Sequence, residues 1–314
     1  MTKVIAVTGC LGFLGRHFVD YLLESEQYVY GIDAETYAAD KELLNSQAWL
    51  IHSRKGHLRY VKADIVTLKH LPDIDAVVNF AAETHVDNSI MDSRRFVESN
   101  VLGVQNLLEL VRAKRNYEMP RFIQISTDEV YGDVRTGTTD ETAPLHPSSP
   151  YAASKAAADF LVQAYARTYG IPYNIIRPSN CYGPHQYPEK LIPKTVRYFV
   201  LGKRMSVHDD GSQTRSWLDV RDCARAVGAV LDRGLPRAIY NIAGNTQASV
   251  QSVVEAIAEH MKTTRIQFSY YRAGVDERYA VSDAPLRSLG WVPIGDLWRD
   301  LPAIVATEQA EFRW

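Results

Sequence analysis

Short apolar runs alternate with longer amphipathic stretches through the first half of the chain. Phe18, Val19, Leu22 and Leu23 recur at helical spacing, and apolar residues do so again over 96–111. Apolar runs that predict β-strands lie on either side of these stretches, at residues 4–7, 28–32, 58–61, 76–80, 122–125 and 173–176. Strands that are apolar on both faces and separated by helices indicate a parallel sheet between two layers of helices.

The alternation ends near Arg177, where several prolines and glycines follow within a short distance. Further on, residues 220–231 predict a helix and 239–242 a strand. We therefore predict an α/β protein with two parts. They are a Rossmann-type domain with a doubly wound parallel sheet, over 1–177 and rejoined by 216–243, and a smaller C-terminal α/β substrate lobe, over 178–215 and 244–314.

Composition narrows the class of protein. The 314 residues carry a formal net charge of −2, which gives little attraction for a nucleic acid. No apolar run approaches the roughly 18 residues of a membrane helix, and the first run is too short for a signal peptide. Three separated cysteines (Cys10, Cys181 and Cys223) suit a reducing compartment, and the histidines lack metal-ligand spacing. We expect a cytoplasmic protein with no membrane span, no nucleic-acid partner and no metal.

A glycine-rich segment joins the first predicted strand to the first predicted helix. Gly9 permits a tight turn, Gly12 lets the backbone approach a diphosphate, and Gly15 lets helix and strand pack closely. Asp33 ends the second strand and can accept a hydrogen bond from a ribose 2′-hydroxyl, although a solvated loop acid is the alternative. Because a 2′-phosphate would meet this negative charge, NAD is favoured over NADP. The other predicted cofactor contacts are Phe13, Leu14, Asp64, Ile65, Ala81, Ala82, Tyr151 and Lys155, although close packing alone could explain the two alanines.

Tyr151 and Lys155 are four residues apart on a predicted helix that Ser149 can cap and Pro150 can begin. This spacing puts both side chains on one face of the helix. A lysine ammonium beside the phenol is expected to pull its pKa below the reference of about 10, so that Tyr151 could accept a proton. The alternative is a chance match on an exposed helix.

Two adjacent acids, Asp128 and Glu129, follow Thr127 just after the fifth predicted strand, over 122–125. Carboxyl ends of strands in this kind of sheet face the ligand crevice. Adjacent carboxylates there are costly unless they are solvated, paired or used, so a surface turn is the alternative.

Together these features resemble the extended short-chain dehydrogenases/reductases, and within them the nucleotide-sugar 4,6-dehydratases, most closely those that act on dTDP-glucose. The resemblance spans nearly the whole chain. The segments that carry it are residues 81–87 (AAETHVD), 126–132 (STDEVYG), 149–155 (SPYAASK), 179–184 (SNCYGP), 188–193 (PEKLIP) and 215–218 (RSWL). The Thr-Asp-Glu triplet is the most specific of them.

The resemblance implies a reaction with NAD in three stages. Tyr151, assisted by Thr127 and Lys155, removes the proton of the sugar O4 while hydride passes from C4 to NAD. Glu129 then removes the C5 proton, and Asp128 protonates the departing C6 hydroxyl. Hydride finally returns to C6, so NAD ends as it began.

The resemblance also implies a set of residues that bind the nucleotide sugar. Lone arginines are more often surface ion pairs, and Lys190 could equally pair with Glu189. His208 and Val275 stand where the family usually has a tyrosine and a histidine. The implied substrate-binding set is Thr84, Asn180, Glu189, Lys190, His208, Arg215, Asn245 and Arg278.

We therefore predict a dTDP-glucose 4,6-dehydratase-like lyase. The alternatives are a dehydratase for UDP- or another nucleoside-diphosphate hexose, a nucleotide-sugar 4-epimerase, and an NAD-binding regulatory or scaffold protein. The helices over 96–111 and 151–169 have apolar faces beyond what one sheet face requires. They predict a homodimer formed through a four-helix bundle, as the resemblance also implies.

Overall fold

The computed structural model describes residues 2–114, 119–269 and 276–311, so Val275 lies outside the described residues. A seven-stranded sheet forms its centre, in the order β10-β6-β5-β4-β1-β2-β3, with every neighbouring pair parallel. Its strands are β1 (Val4–Thr8), β2 (Tyr28–Asp33), β3 (Leu58–Lys62), β4 (Ala76–Asn79), β5 (Arg121–Ile125), β6 (Tyr173–Pro178) and β10 (Ile239–Ile242). The predicted Rossmann-type sheet is confirmed, and each predicted strand agrees with the structure to within two residues.

Two smaller sheets lie beyond β6. One has the order β11-β9-β7 and the other pairs β12 with β8. Their strands are β7 (Asn180–Tyr182), β8 (Met205–His208), β9 (Thr214–Asp219), β11 (Thr246–Ser249) and β12 (Ile266–Ser269).

Helices pack on both faces of the large sheet and against the small ones. They are α1 (Phe13–Glu24), α2 (Gln47–Arg54), α3 (Val86–Met91), α4 (Arg94–Val97), α5 (Gly103–Ala113), α6 (Pro150–Tyr169), α7 (Leu191–Val200), α8 (Val220–Arg233), α9 (Val250–His260), α10 (Ala284–Arg287) and α11 (Leu297–Ala310). A π-helical turn (Glu98–Leu102) joins α4 to α5, and 3-10 turns occupy Lys41–Asn45 and Asp128–Tyr131. The predicted helix over 220–231 is confirmed as α8.

Separate apolar clusters hold these layers together. On one face of the large sheet α1 and α8 bury Phe18 and Val227, and on the other α5 and α6 bury Leu107 and Val162. A third cluster joins α7, α9 and α11 over the small sheets. The helical pattern predicted over 96–111 is interrupted by the π-helical turn, and Val97, the last residue of α4, is 47% exposed.

None of the helices in the described ranges combines the length and the apolar character that crossing a membrane requires.

Candidate active site

A cavity of about 660 Å³ runs along the carboxyl ends of the central strands and reaches the start of the small sheets. Its walls come from the glycine-rich loop after β1, the ends of β2, β4 and β5, the first turn of α6, and the segment around β7. This location is the crevice in which doubly wound sheets bind their ligands.

The glycine-rich loop leaves no room for side chains. A Cβ on Gly15 would lie 2.1 Å from the carbonyl oxygen of Gly9, and one on Gly12 would lie 3.2 Å from the same atom. Gly9 itself has φ +67° and packs against the backbone of Ala81. The loop therefore brings bare backbone to the cavity at the start of α1, where unpaired N–H groups suit a diphosphate. This shape fits a dinucleotide.

Asp33 lies at the end of β2, lines the cavity and is 8% exposed. Its Oδ2 accepts a hydrogen bond from the Leu11 amide at 2.9 Å, and its Oδ1 accepts one from the Glu35 amide at 2.8 Å. Burial raises the pKa of this carboxyl. Because a carboxylate can accept about four hydrogen bonds, Asp33 both fixes the glycine-rich loop and keeps capacity for a hydroxyl ligand.

The two adjacent acids have different surroundings. Thr127 caps the 3-10 turn over Asp128–Tyr131 and accepts a hydrogen bond from the Glu129 amide at 3.3 Å. Asp128 is 2% exposed, and its Oδ2 has no hydrogen-bond partner within the described residues, whereas Glu129 is half-buried. Burial, and then the negative charge of Glu129, raises the pKa of Asp128 to about 8. One carboxyl is therefore protonated at neutral pH beside a more exposed one.

Tyr151 and Lys155 occupy the first turns of α6, which Ser149 caps and Pro150 begins as predicted. Tyr151 lines the cavity, but Lys155 does not, and its Nζ donates to the Ile125 carbonyl at 2.6 Å. The expected lowering of the Tyr151 pKa is wrong for the chain alone. Burial and the charge of Glu129 raise it, and only a hydrogen bond with Thr127 opposes them.

Half of the predicted substrate-binding residues line the cavity: Thr84, Asn180, Glu189 and Lys190. Lys190 Nζ donates to the Thr84 carbonyl at 3.0 Å and lies 3.9 Å from Glu189 Oε1, so the suggested pairing with Glu189 is present. Asn180 Oδ1 is buried and has no partner in the described part of the chain. These side chains add amide, carboxylate and ammonium groups to the wall of the cavity.

The other half do not line the cavity. The side chain of Arg278 donates to the carbonyls of Val134 and Gly137, and that of Asn245 to the carbonyls of Pro293 and Gly295. Backbone carbonyls thus accept hydrogen bonds from Asn245 Nδ2 and Arg278 Nη1. His208 lies in the outer two-stranded sheet.

Arg215 lies nearer the cavity but is also tied to backbone. Its guanidinium donates to the Asp276 carbonyl at 3.0 Å and lies 4.3 Å from the centre of the Tyr279 ring. Its positive charge still reaches the cavity, where it lowers the pKa of Asp128.

The structure adds cavity residues that the sequence analysis missed. Glu83 and Ser126 are next to residues already singled out, so their position was the available signal. Arg95, Glu98, Ser99 and Leu102 reach the cavity from α4 and the π-helical turn, which no local sequence pattern indicated. Gln186 and Tyr187 come from the irregular segment before α7.

Comparison with known proteins agrees with this geometry. Residues 6–293 match the family described as GDP-mannose 4,6 dehydratase. The chain belongs to this family. The low-salt glycan biosynthesis protein Agl12 of Haloferax volcanii is 41% identical over 92% of this chain and 93% of its own length. A dTDP-glucose 4,6-dehydratase of Streptomyces griseus is 37% identical over 100% and 96%.

A solved relative has the same fold. The crystal structure of DesIV, a dTDP-glucose 4,6-dehydratase from Streptomyces venezuelae with NAD bound, superposes with a TM-score of 0.90 at 33% identity, covering 98% of this chain and 97% of that one. The resemblance to nucleotide-sugar 4,6-dehydratases inferred from the sequence is thereby confirmed.

Proposed function

We propose that the protein is an NAD-dependent nucleoside-diphosphate-hexose 4,6-dehydratase that converts dTDP-glucose to dTDP-4-keto-6-deoxyglucose. The observation that carries the proposal is the protonated, buried Asp128 beside the more exposed Glu129, in the same cavity as Tyr151 and the glycine-rich loop. Elimination of water needs one acid and one base, and neighbouring carboxyls in unlike environments can supply both.

NAD, when bound, would supply a hydride acceptor for C4 of the sugar and a hydride donor for C6. Gly9, Gly12 and Gly15 would hold its diphosphate at the start of α1, and Asp33 would accept from a ribose hydroxyl. All but one of the remaining predicted contacts line the same cavity, the exception being Lys155: Phe13, Leu14, Asp64, Ile65, Ala81, Ala82 and Tyr151.

We assign Tyr151 as the base that removes the proton from the sugar O4. Burial disfavours its phenolate, so positive charge and hydrogen bonds must compensate. Thr127 offers a hydrogen bond to the phenolate, and the buried ammonium of Lys155 lies one helical turn away on the same face of α6.

Oxidation at C4 makes the C5 proton acidic, and the two carboxyls then share the elimination. Glu129 acts as the base at C5. Asp128 gives its proton to the C6 hydroxyl, which leaves as water, and Glu129 returns its proton to C5. The proton that Tyr151 took from O4 balances the one that Asp128 lost.

Mass spectrometry of the product distinguishes the candidate functions. Incubation with dTDP-glucose and NAD should give a 4-keto-6-deoxy sugar, lighter than the substrate by one water. A product of unchanged mass would indicate a 4-epimerase, and no product from a panel of dTDP-, UDP- and other nucleoside-diphosphate hexoses would indicate a binding protein. Conversion of the UDP sugar but not the dTDP sugar would show that the substrate carries uracil rather than thymine.

Dehydration is expected to fall as pH rises through about 8, because the pKa values of Asp128 and Lys155 both lie there and both groups act in their protonated forms. Below that pH each group keeps its proton. The measurement is kcat against pH from 6 to 9.5 with saturating substrate. A rate that rises steadily across this range would contradict the assignment of Asp128 as the acid.

We also propose the homodimer through a four-helix bundle of α5 and α6, because α6 exposes large apolar side chains. Phe160 is 58% exposed and Tyr169 44%. Phe160→Asp is expected to shift the protein from dimer to monomer in sedimentation velocity at micromolar concentration. Leu235→Asp, at a 65% exposed loop position, is the matched control and should leave the dimer intact. A wild-type monomer would contradict the proposal.

The division into a cofactor domain (1–177 with 216–243) and a substrate lobe (178–215 with 244–314) is likewise proposed. Asn180, Glu189 and Lys190 support it, since all three reach the cavity from the first lobe segment. The cytoplasmic location is proposed because the three cysteines carry no disulfide.

A further inference from the structure

The ammonium group of Lys155 is buried in the protein interior. The residue is 3% exposed, and its Nζ donates a hydrogen bond to a neutral backbone carbonyl. Burial lowers its pKa to about 8. A buried ammonium without a nearby anion is costly and releases its proton readily.

Asp159 is one helical turn beyond Lys155 on α6, and Tyr151 is one turn before it. The three residues therefore share one face of the helix, four residues apart. Asp159 is 0% exposed. Its negative charge is the one influence that raises the pKa of Lys155 against the effect of burial.

Arg177 on β6 holds the Asp159 carboxylate. Its Nε donates to Asp159 Oδ2 at 3.0 Å, its Nη2 lies 3.0 Å from the same oxygen in an ion pair, and the arginine is 2% exposed. The guanidinium is itself fixed, because Nη1 donates to the Tyr131 hydroxyl at 2.7 Å and that hydroxyl donates to Asn241 Oδ1 at 2.8 Å. Burial raises the pKa of the Asp159 carboxyl, and the charge and hydrogen bond of Arg177 oppose that rise.

Other charges surround this part of α6. Asp128, Glu129 and Tyr131 lie on the turn after β5, and Arg177 lies on β6. Among the described residues, none of these acts on Lys155 as Asp159 does. We propose that Asp159, paired with Arg177, is a positioning residue that keeps Lys155 in its ammonium form beside Tyr151. The inference rests on the proposed function, because in that function the Lys155 ammonium assists Tyr151.

The titration of Lys155 tests this directly. In the full-length protein labelled with ¹³Cε-lysine, with and without NAD, the Lys155 signal is the one missing from the spectrum of Lys155→Met. Asp159→Asn is expected to move its midpoint at least one pH unit lower, and Asp159→Glu to restore it. Glu109→Gln is the matched control, because Glu109 accepts a hydrogen bond from Tyr165 at the far end of α6 and its loss should leave the midpoint unchanged.

Asp159→Asn leaves a buried guanidinium unpaired and could fail to fold. The double variant Asp159→Asn with Arg177→Gln replaces the ion pair by an amide pair and should show the same lowered midpoint. A wild-type midpoint in whichever variant folds overturns the inference.

Enzyme rates give a second readout. A one-unit shift means that the ratio of variant to wild-type kcat falls roughly fivefold between pH 6 and pH 8, since the variant loses its ammonium first. A purely structural defect would lower the ratio equally at both pH values, and that result would also overturn the inference. Failure of the wild type to make a 4-keto-6-deoxy product would instead refute the proposed function and leave the titration result standing.

Discussion

Asp128→Asn is expected to lower the dehydration rate by about 10²–10⁴-fold, the usual contribution of a positioned general acid. The replacement has nearly the same shape as the protonated carboxyl and carries no charge, so it keeps the packing of a side chain that is 2% exposed. It cannot release a proton to the departing C6 hydroxyl. Affinity for NAD should stay within about twofold, because the change adds no charge and no bulk to the glycine-rich loop.

Glu129→Gln should have an effect of similar size for the complementary reason, since an amide cannot take the C5 proton. The matched control is Asp133→Asn, an exposed acid four residues after Glu129 that pairs with Arg135 at 2.8 Å. Its rate should remain close to that of the wild type. Steady-state product formation and NAD titration together make the comparison, and full turnover by either active-site variant would remove that carboxyl from the mechanism.

Asp128→Asn should also change stability in a pH-dependent way. The pKa of Asp128 in the folded protein, about 8, lies above that of an unfolded aspartate. The native state therefore holds the extra proton between these values, and the free energy of unfolding falls as pH rises through this window. Asparagine has no proton to lose, so the Tm of the variant should exceed that of the wild type at pH 8 by more than at pH 5.

Arg177→Met is expected to reduce the free energy of unfolding by about 3–5 kcal/mol at pH 7, because it leaves Asp159 buried without its cation. Asp159 should respond by taking up a proton, so the loss should shrink as the pH falls towards 5. Urea denaturation at both pH values measures this. Arg221→Met is the matched control, because Arg221 also holds an aspartate, Asp219, through two hydrogen bonds of 3.0 and 2.6 Å.

The Arg221 side chain is 64% exposed, and its pair should contribute less than about 1 kcal/mol. Equal losses in the two variants would mean that burial of the Asp159 pair adds nothing to its contribution to stability.

The large sheet was predictable because its strands are short, apolar and regularly interrupted, as in β4 and β6, where every residue is buried. The π-helical turn was not predictable, because the apolar residues over 96–111 fit an ordinary helix. Which strand ends carry the site followed from topology, so Asp33, Thr127 and Asp128 reach the cavity, and Tyr151 reaches it from the start of α6.

The side-chain surroundings were harder to predict. The sequence around Arg278 and Asn245 does not indicate that their side chains donate to backbone carbonyls, because those carbonyls belong to distant loops. The effect of burial on Tyr151 likewise depends on tertiary packing. The place of Asp159 on the same helix face could be predicted from the sequence, since it continues the four-residue spacing of Tyr151 and Lys155. Its pairing with Arg177 could not, because Arg177 lies on another element.

The chain passes between the large and small sheets through very short connections. A single residue separates β6 from β7, β9 runs directly into α8, and three residues separate β10 from β11. Rotation of one sheet against the other would have to bend all three connections at once, whereas hinge motions need a few freely adjustable residues. The walls of the cavity thus keep their spacing. A sugar bound between them can undergo oxidation, loss of water and reduction in turn without dissociating and rebinding.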